Sequence, residues 1–345
     1  MKASVVAKPD NLEGTRMKAI VYTHYGPPDV LKLEEVQKPV PQDDEVLVHV
    51  HATSVNAGDW HLLRAKPFLM RFMGSGLIKP KHTILGSDIA GRVEVVGRNV
   101  TQFQPGDEVF GNTVECGFGG FAEYVSVPEH ALVLKPTTLS FEEAAAVPQA
   151  ALTALQGLRD KGHIQNGQKV LIHGASGGVG TFAVQLAKAF GADVTAVCST
   201  RNVDIARSIG ADHVIDYTHE DFTRNGQRYD LILAVNGYHP ISAYRRALSP
   251  AGVYVMTGGS MAQVFQAMLL GPVISRIGRQ KMGNSAHKPN TQDLLVMKEL
   301  IEAGKVVPVI DRRYSLGETA EAIRYLEEGH AQGKVVITVE NDDKT

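Results

Sequence analysis

The chain is 345 residues long, 43% hydrophobic and 21% charged, with a formal net charge of −2. This balance fits a globular protein with an ample core, two domains at roughly 100–200 residues each, and no whole-chain basic footprint for nucleic acid or a membrane surface. Only two cysteines are present, Cys116 and Cys198, with no Cys-x-x-Cys pair, which excludes a disulfide framework and a structural zinc lobe.

No apolar run reaches the roughly 18 residues that a membrane-spanning helix needs. Residues 1–16 are polar and irregular and lack the apolar stretch of a secretory signal. They read as a flexible leader, with the cytosol as the expected compartment.

From residue 17 to about 134 the pattern is β-rich. Strand-like runs at 17–22, 45–51, 89–97, 107–111 and 122–127 are separated by Gly- and Pro-rich turns such as Gln104-Pro-Gly-Asp107. Short strands at this spacing predict a compact β domain. From about 140 helices and strands alternate. A helix is predicted at 141–158, then a strand at 169–173 that runs into a glycine loop. Phe182, Leu186 and Phe190 recur at fourfold spacing, which predicts a helix over 181–190 stopped by Gly191. Strands at 194–198, 213–217, 230–235 and 253–257 alternate with helices at 203–209 and 241–248, and a sixth strand is expected near 279–287. That rhythm implies a doubly wound parallel sheet. In the tail, helices are expected at 293–303 and 319–328, and strands at 306–310 and 334–339.

The loop His173-Gly174-Ala175-Ser176-Gly177-Gly178-Val179-Gly180 fills the places of a dinucleotide fingerprint with Ala175, Gly177 and Gly180. It follows a strand and opens a helix, as that chemistry requires. Gly177 allows the main chain to approach a pyrophosphate, Gly180 lets the helix pack on the strand, and helix-start amides face the negative charge. The second strand ends in Cys198-Ser199-Thr200-Arg201 without the acid that binds ribose hydroxyls in NAD enzymes. Hydroxyls and a guanidinium suit a 2′-phosphate instead, so NADPH is the expected cofactor. A solvated helix start is the plainer role for Arg201.

Several further motifs occur in order. They are Ser54-Val-Asn-Ala-Gly-Asp59, Leu85-Gly-Ser-Asp-Ile-Ala-Gly91, Gly106-Asp-Glu-Val-Phe-Gly111, Gly119-Gly-Phe-Ala-Glu-Tyr-Val125, Ala145-Ala-Val-Pro148, Val214-Ile-Asp-Tyr217 and Gly333-Lys-Val-Val336. With them the chain resembles, from 17 to 339, the quinone oxidoreductase branch of the medium-chain dehydrogenase/reductase superfamily. The resemblance implies an α/β protein with a GroES-like β-rich catalytic domain (17–140 and 288–345) and an inserted Rossmann domain (141–287), the active site lying between them. It also implies that Ser176, Gly177, Gly178 and Val179 hold the pyrophosphate, with Ser199, Thr200, Arg201 and Tyr217 around the adenosine phosphate. Thr153 would lie near the cofactor, and Asn56 and His61 beside the nicotinamide. Many relatives are dimers, which makes a homodimer an expectation.

Zinc-dependent members of the superfamily carry a cysteine near the place of Asn56 and Gly-His-Glu where this chain has Gly86-Ser87-Asp88. No histidine here has ligand spacing with a cysteine. His49 and His51 share a strand face, either as a metal pair or as plain surface residues, and read better as the latter. No metal is expected, so alkoxide stabilisation in alcohol oxidation has no evident provider. The expected reaction is hydride transfer from NADPH to an apolar quinone or an α,β-unsaturated carbonyl. Asn56 and His61 would be donors to the developing enolate, although Asn56 and Asp59 alternatively only brace their turn. A zinc-free alcohol or carbonyl reductase, or a non-catalytic NADPH-binding sensor, shares these motifs. Segments 67–81, 112–118 and 260–283 are the expected pocket walls. The last, rich in Met, Leu and Phe, suits either an apolar acceptor or a dimer contact.

Overall fold

The computed structural model describes residues 14–339 apart from 72–75, 260 and 286, so most of the expected leader lies outside the described residues. The chain divides into two compact units. The first takes the chain up to Gln149 with Pro289–Lys298 and the chain from Ile310; the second takes Ala150–Lys288 and Glu299–Val309.

The first unit is built on β3 (Glu45–Val55), an eleven-residue strand buried on nearly its whole length. Before it, β1 (Arg16–Val21) and β2 (Lys32–Gln37) form a two-stranded antiparallel sheet. After it come α1 (Ala57–Arg64), β4 (Asp88–Val96), β5 (Glu108–Asn112), β6 (Tyr124–Pro128), β7 (Leu132–Leu134) and α2 (Phe141–Ala145). β3 pairs antiparallel with β4 and with β6, and its alternating Val46, Val48 and Val50 join Ile89, Val109 and Val127 in one core. His49 stacks on Tyr124 and His51 on Phe141, with ring centroids 4.6 and 4.2 Å apart, so each imidazole is a strand-face residue covering an aromatic ring.

The second unit opens with α3 (Pro148–Gln156), then β8 (Lys169–His173), α4 (Gly178–Ala189), β9 (Asp193–Cys198), α5 (Val203–Ser208), β10 (His213–Asp216) and β11 (Tyr229–Ala234). α6 (Ile241–Ala247), β12 (Leu248–Met256), α7 (Met261–Ile277) and β13 (Lys281–Asn284) complete its sheet. All six strands are parallel, in the order β10-β9-β8-β11-β12-β13. In sequence rank this is 3-2-1-4-5-6, the doubly wound dinucleotide-binding order. Leu171, Ile232, Tyr244 and Tyr254 lie at the centre of its core. α8 (Thr291–Glu302) follows, and β14 (Ile310–Ser315), α9 (Thr319–Glu327) and β15 (Lys334–Thr338) return to the first unit. There β15 pairs antiparallel with β3, Val335 opposite Val55, and extends the sheet to seven strands.

Several sequence expectations shift for physical reasons. The single helix over 141–158 is two helices, because Pro148 has no N–H to continue the first, and the second ends in a π-helical turn at Gly157–Lys161. Residues 141–149 pack with the first unit rather than the nucleotide domain, and 299–309 with the second. The strand expected at 306–310 has no sheet partner before Ile310. The Gln185 amide takes the backbone groups of Val307 instead, at 2.8 and 2.9 Å. β2, exposed on both faces, carries no alternation for the eye to find. The apolar stretch at 260–283 is largely a helix, α7. Among the described residues no helix is long and apolar enough to cross a membrane.

Candidate active site

The glycine loop lies at the end of β8 in the second unit. Gly174 takes φ +86°, and a Cβ there would press on the backbone of Asn236. Gly177 precedes α4 with extended backbone and has open space where a side chain would project. A Cβ at Gly180 would overlap the Gly174 carbonyl, so only glycine lets α4 lie against the loop. The first amides of α4, from Gly178, Val179 and Gly180, have no carbonyl one turn earlier to bond and are available to an anion.

Ser199, Thr200 and Arg201 follow β9 in a 3-10 turn, Thr200–Asn202. The residue that joins them to the glycine loop is Asn202, which sequence reasoning passed over. It is 4% exposed. Its Nδ2 donates to Ser176 Oγ at 2.9 Å and to Ser199 Oγ at 3.1 Å, while its Oδ1 is buried with no hydrogen-bond partner. Both serine oxygens thus accept from the amide and keep their own hydrogens to donate elsewhere. Open space at Gly177, helix-start amides and the two serine hydroxyls are donors and room of the kind that suits a nucleotide phosphate. Tyr217 is exposed, its N–H bonded to Cys198 O at 3.0 Å. Beside it the Asp216 carboxylate is occupied by Thr218 and His219. Hydroxyl donation, that of Thr200 foremost, holds it well below the usual aspartate range. Thr153 is half-buried on α3.

Asn56 and His61 lie in the first unit, at the start and in the last turn of α1, a helix the sequence did not announce. The Asn56 N–H donates to Asp59 Oδ2 at 2.7 Å, and the Gly86 N–H reaches Asp59 Oδ1 at 3.3 Å. The Asn56 side chain turns away into a buried polar cluster. Its Oδ1 accepts from Lys334 Nζ at 2.6 Å, and its Nδ2 donates to Asp88 Oδ2 at 2.9 Å. The second amide hydrogen has only longer contacts, Ser87 Oγ at 3.2 Å and Ser54 O at 3.4 Å. His61 stacks on Trp60, which itself packs on the core of this unit. His61 Nδ1 lies 2.8 Å from Lys66 O. A carbonyl only accepts, so Nδ1 carries the hydrogen, and Nε2 has a proton to give only in the imidazolium form.

Asp88 is the hub of the cluster. It is fully buried and Lys334 is 3% exposed. Ser54 Oγ at 2.7 Å, Asn56 Nδ2 and Lys334 Nζ at 3.4 Å meet one oxygen. Asn112 Nδ2 at 3.1 Å and Gln149 N at 2.9 Å meet the other. Burial pulls the Lys334 ammonium below the ordinary lysine value, against the opposing pull of Asp88 and Asp59. Burial also raises Asp59 to about 7; its two backbone donors and Lys334 oppose this, and the Asp88 charge adds to it. Lys334 and Asp88 each stand in a family motif of the sequence, but nothing there pairs them across the 246 positions that separate them. Among the described residues no three His, Cys, Asp or Glu side chains come together as a metal site.

The chain is similar to known proteins along most of its length. Residues 42–137 match the family described as alcohol dehydrogenase GroES-like domain, and 209–337 the one described as zinc-binding dehydrogenase. A 2-methylene-furan-3-one reductase from Solanum lycopersicum is 37% identical over 94% of this chain and 79% of its own. A chloroplast envelope quinone oxidoreductase homolog from Arabidopsis thaliana is 34% identical over 94% of this chain and 99% of its own. The solved quinone oxidoreductase from Coxiella burnetii superposes with a TM-score of 0.83 at 31% identity, covering 94% of this chain and all of that one.

Two outcomes follow from the buried cluster. Lys334→Met leaves the Asp88 charge without its cation and lowers unfolding stability by about 3–5 kcal/mol, and adding Asp88→Asn restores part of the loss; denaturant titration of single and double variants measures both. Asp59 keeps its proton in the folded chain up to about pH 7, whereas the unfolded chain loses it near 3.8. Stability therefore falls as pH rises from about 4 to 7, by on the order of 4 kcal/mol, and levels off above. In Asp59→Asn that component of the slope is absent, which denaturation midpoints across the range test.

Proposed function

The chain belongs to the medium-chain dehydrogenase/reductase family, and we propose that it is an NADPH-dependent oxidoreductase acting on a quinone or an α,β-unsaturated carbonyl without zinc. The observation that carries the cofactor assignment is the Asn202 amide bridging Ser176 and Ser199 beside an acid-free strand end. The Ser199 hydroxyl and Arg201, two positions further on, form a donor set for a dianionic 2′-phosphate, with the Ser176 hydroxyl tied to them through Asn202 on the pyrophosphate side. The one carboxylate at the end of the neighbouring strand, Asp216, is already taken up by Thr218 and His219. Bound there, NADPH supplies a hydride.

At the reacting end we assign Asn56 and His61. The Asn56 amide is held through its oxygen by Lys334 and through one hydrogen by Asp88. The hydrogen with only long contacts is the one left to meet an oxyanion forming on the acceptor. Lys334 behind the amide polarises it in the same direction. His61 in its imidazolium form can deliver a proton from Nε2, and solvent does so otherwise. The donors around Asp88 do not suit a zinc ion. Asn112, Ser54 and a backbone N–H turn hydrogens towards its oxygens, and the Lys334 ammonium already meets them. The relatives' names, an enone reductase and quinone oxidoreductases, point to the same acceptor class.

Purified protein is expected to oxidise NADPH in the presence of quinones or enones. Failure with every acceptor while NADPH still binds would leave a nucleotide-binding protein without this activity. In Arg201→Ala the KM for NADPH rises roughly ten- to a hundred-fold, the worth of a charge-assisted bond, while the KM for NADH stays unchanged. Equal loss with both nucleotides would remove Arg201 from 2′-phosphate recognition.

A further inference from the structure

α7 is a helix whose solvent side is apolar. Its inner side is anchored: Gln263 Nε2 donates to Tyr244 OH at 3.1 Å and Tyr254 OH at 2.9 Å, and Ala267, Val264 and Ile274 pack into the core of the second unit. Its outer side carries Phe265, Met268, Leu269, Leu270, Val273 and Ile277, all exposed, Leu269 by 68% and Ile277 by 82%. On a helical projection these side chains cover about half the circumference, and Arg276 is the only charged residue in all 17 positions. A surface helix ordinarily turns its charged face to water. A contiguous apolar face of this kind marks a binding surface.

The charge around the helix indicates what binds. From 231 to 292 the chain has no Asp or Glu, yet six Lys and Arg, in a protein whose net charge is −2. Four of these cations, Arg245, Arg276, Arg279 and Lys281, are exposed around the C-terminal end of α7. Gln280 brings Arg245 there, with its Nε2 donating to Arg245 O at 3.0 Å, and Lys281 Nζ donates to Ser275 O at 3.0 Å. Compensation of the helix dipole accounts for Arg276 in the last turn. It does not account for an acid-free stretch of this length.

We propose that α7 is a docking surface for an anionic phospholipid membrane, lying in the plane of the interface with its apolar face in the acyl boundary and the four cations at the headgroups. The helix is too short and too well anchored on its inner side to span a bilayer, so the attachment is peripheral and reversible. A second copy of the chain fits this face less well. A two-fold interface sets the same patch against itself, and the segment that forms this patch, 231–292, brings cations and no acid of its own to pair with them. The proposal is independent of the redox reaction and of the cofactor assigned above.

Co-sedimentation of the full chain with phosphatidylcholine vesicles, with and without phosphatidylglycerol, tests it. Binding is expected to the anionic vesicles and to weaken with added salt. Leu269→Asp with Ile277→Asp, and separately Arg276→Glu with Arg279→Glu, should each reduce it roughly tenfold or more. All four side chains are exposed, so folding is retained, which the circular dichroism and melting temperature of each variant verify. Three results would overturn the proposal: no vesicle binding by the parent chain, equal binding to neutral and anionic vesicles, or binding unaffected by either pair. So would self-association that the Asp pair abolishes in a chain that ignores vesicles, which assigns the face to a second copy.

Discussion

A carboxylate with no access to water, Asp88, sets terms that much of the first unit has to meet. An ionised group taken out of water is tolerated only when a countercharge and a full set of hydrogen bonds replace the lost hydration. Five donors do so, and they come from the end of β3, from the start of α1, from β5, from the first turn of α3 and from β15. The countercharge, Lys334, reaches the site only because the last strand returns to pair with β3. The same ammonium fixes the Asn56 amide, and the Asn56 backbone is fixed in turn by Asp59. Closure of the sheet by the tail and orientation of the proposed catalytic amide are therefore one event. A chain that lacked β15 would lose both.

The parts legible in sequence are those whose cause is local. The glycine loop could be read because a strand, a tight turn and a helix start are adjacent, and the parallel sheet because its strands and helices alternate at short range. The cause of the Asp88 cluster is not local. Nothing near Gly333-Lys-Val-Val336 states which acid the lysine meets, and the partner is settled only by strand register. α1 escaped notice for a related reason. Its eight residues are too few to show a period, and its start depends on the Asn56–Asp59 contact rather than on apolar spacing. The strand expected at 306–310 failed in the opposite sense: extended apolar residues were present, but a glutamine amide from α4 satisfied their backbone.

Asn202 shows how a local signal can still be incomplete. The absence of an acid after β9 is a statement about what does not repel a phosphate. Attraction needs donors whose hydrogens point outward, and hydroxyls alone do not guarantee that, since each can equally turn its hydrogen inward to a neighbour. An amide that donates to both serine oxygens keeps their hydrogens from being spent on that neighbour. In the proposed NADPH reading the selective element is thus a relation between the loop after β8 and the turn after β9, held by a side chain that need not touch the nucleotide.

Composition misleads in the same way when averaged over a whole chain. A net charge of −2 suggests indifference to anionic surfaces. Yet charges act over a Debye length of about 8–10 Å at physiological salt, and a patch the size of one helix responds to what lies within that distance. The segment that carries α7 is cationic and apolar together, while the balancing acids lie in sequence before 231 and after 292. The hydrophobic contribution is just as local, since a helix face is either covered or it is not. The physical unit that decides whether this protein meets a surface is the patch, and the sequence reports it once charge is counted by segment and the helix period shows which side chains share a face.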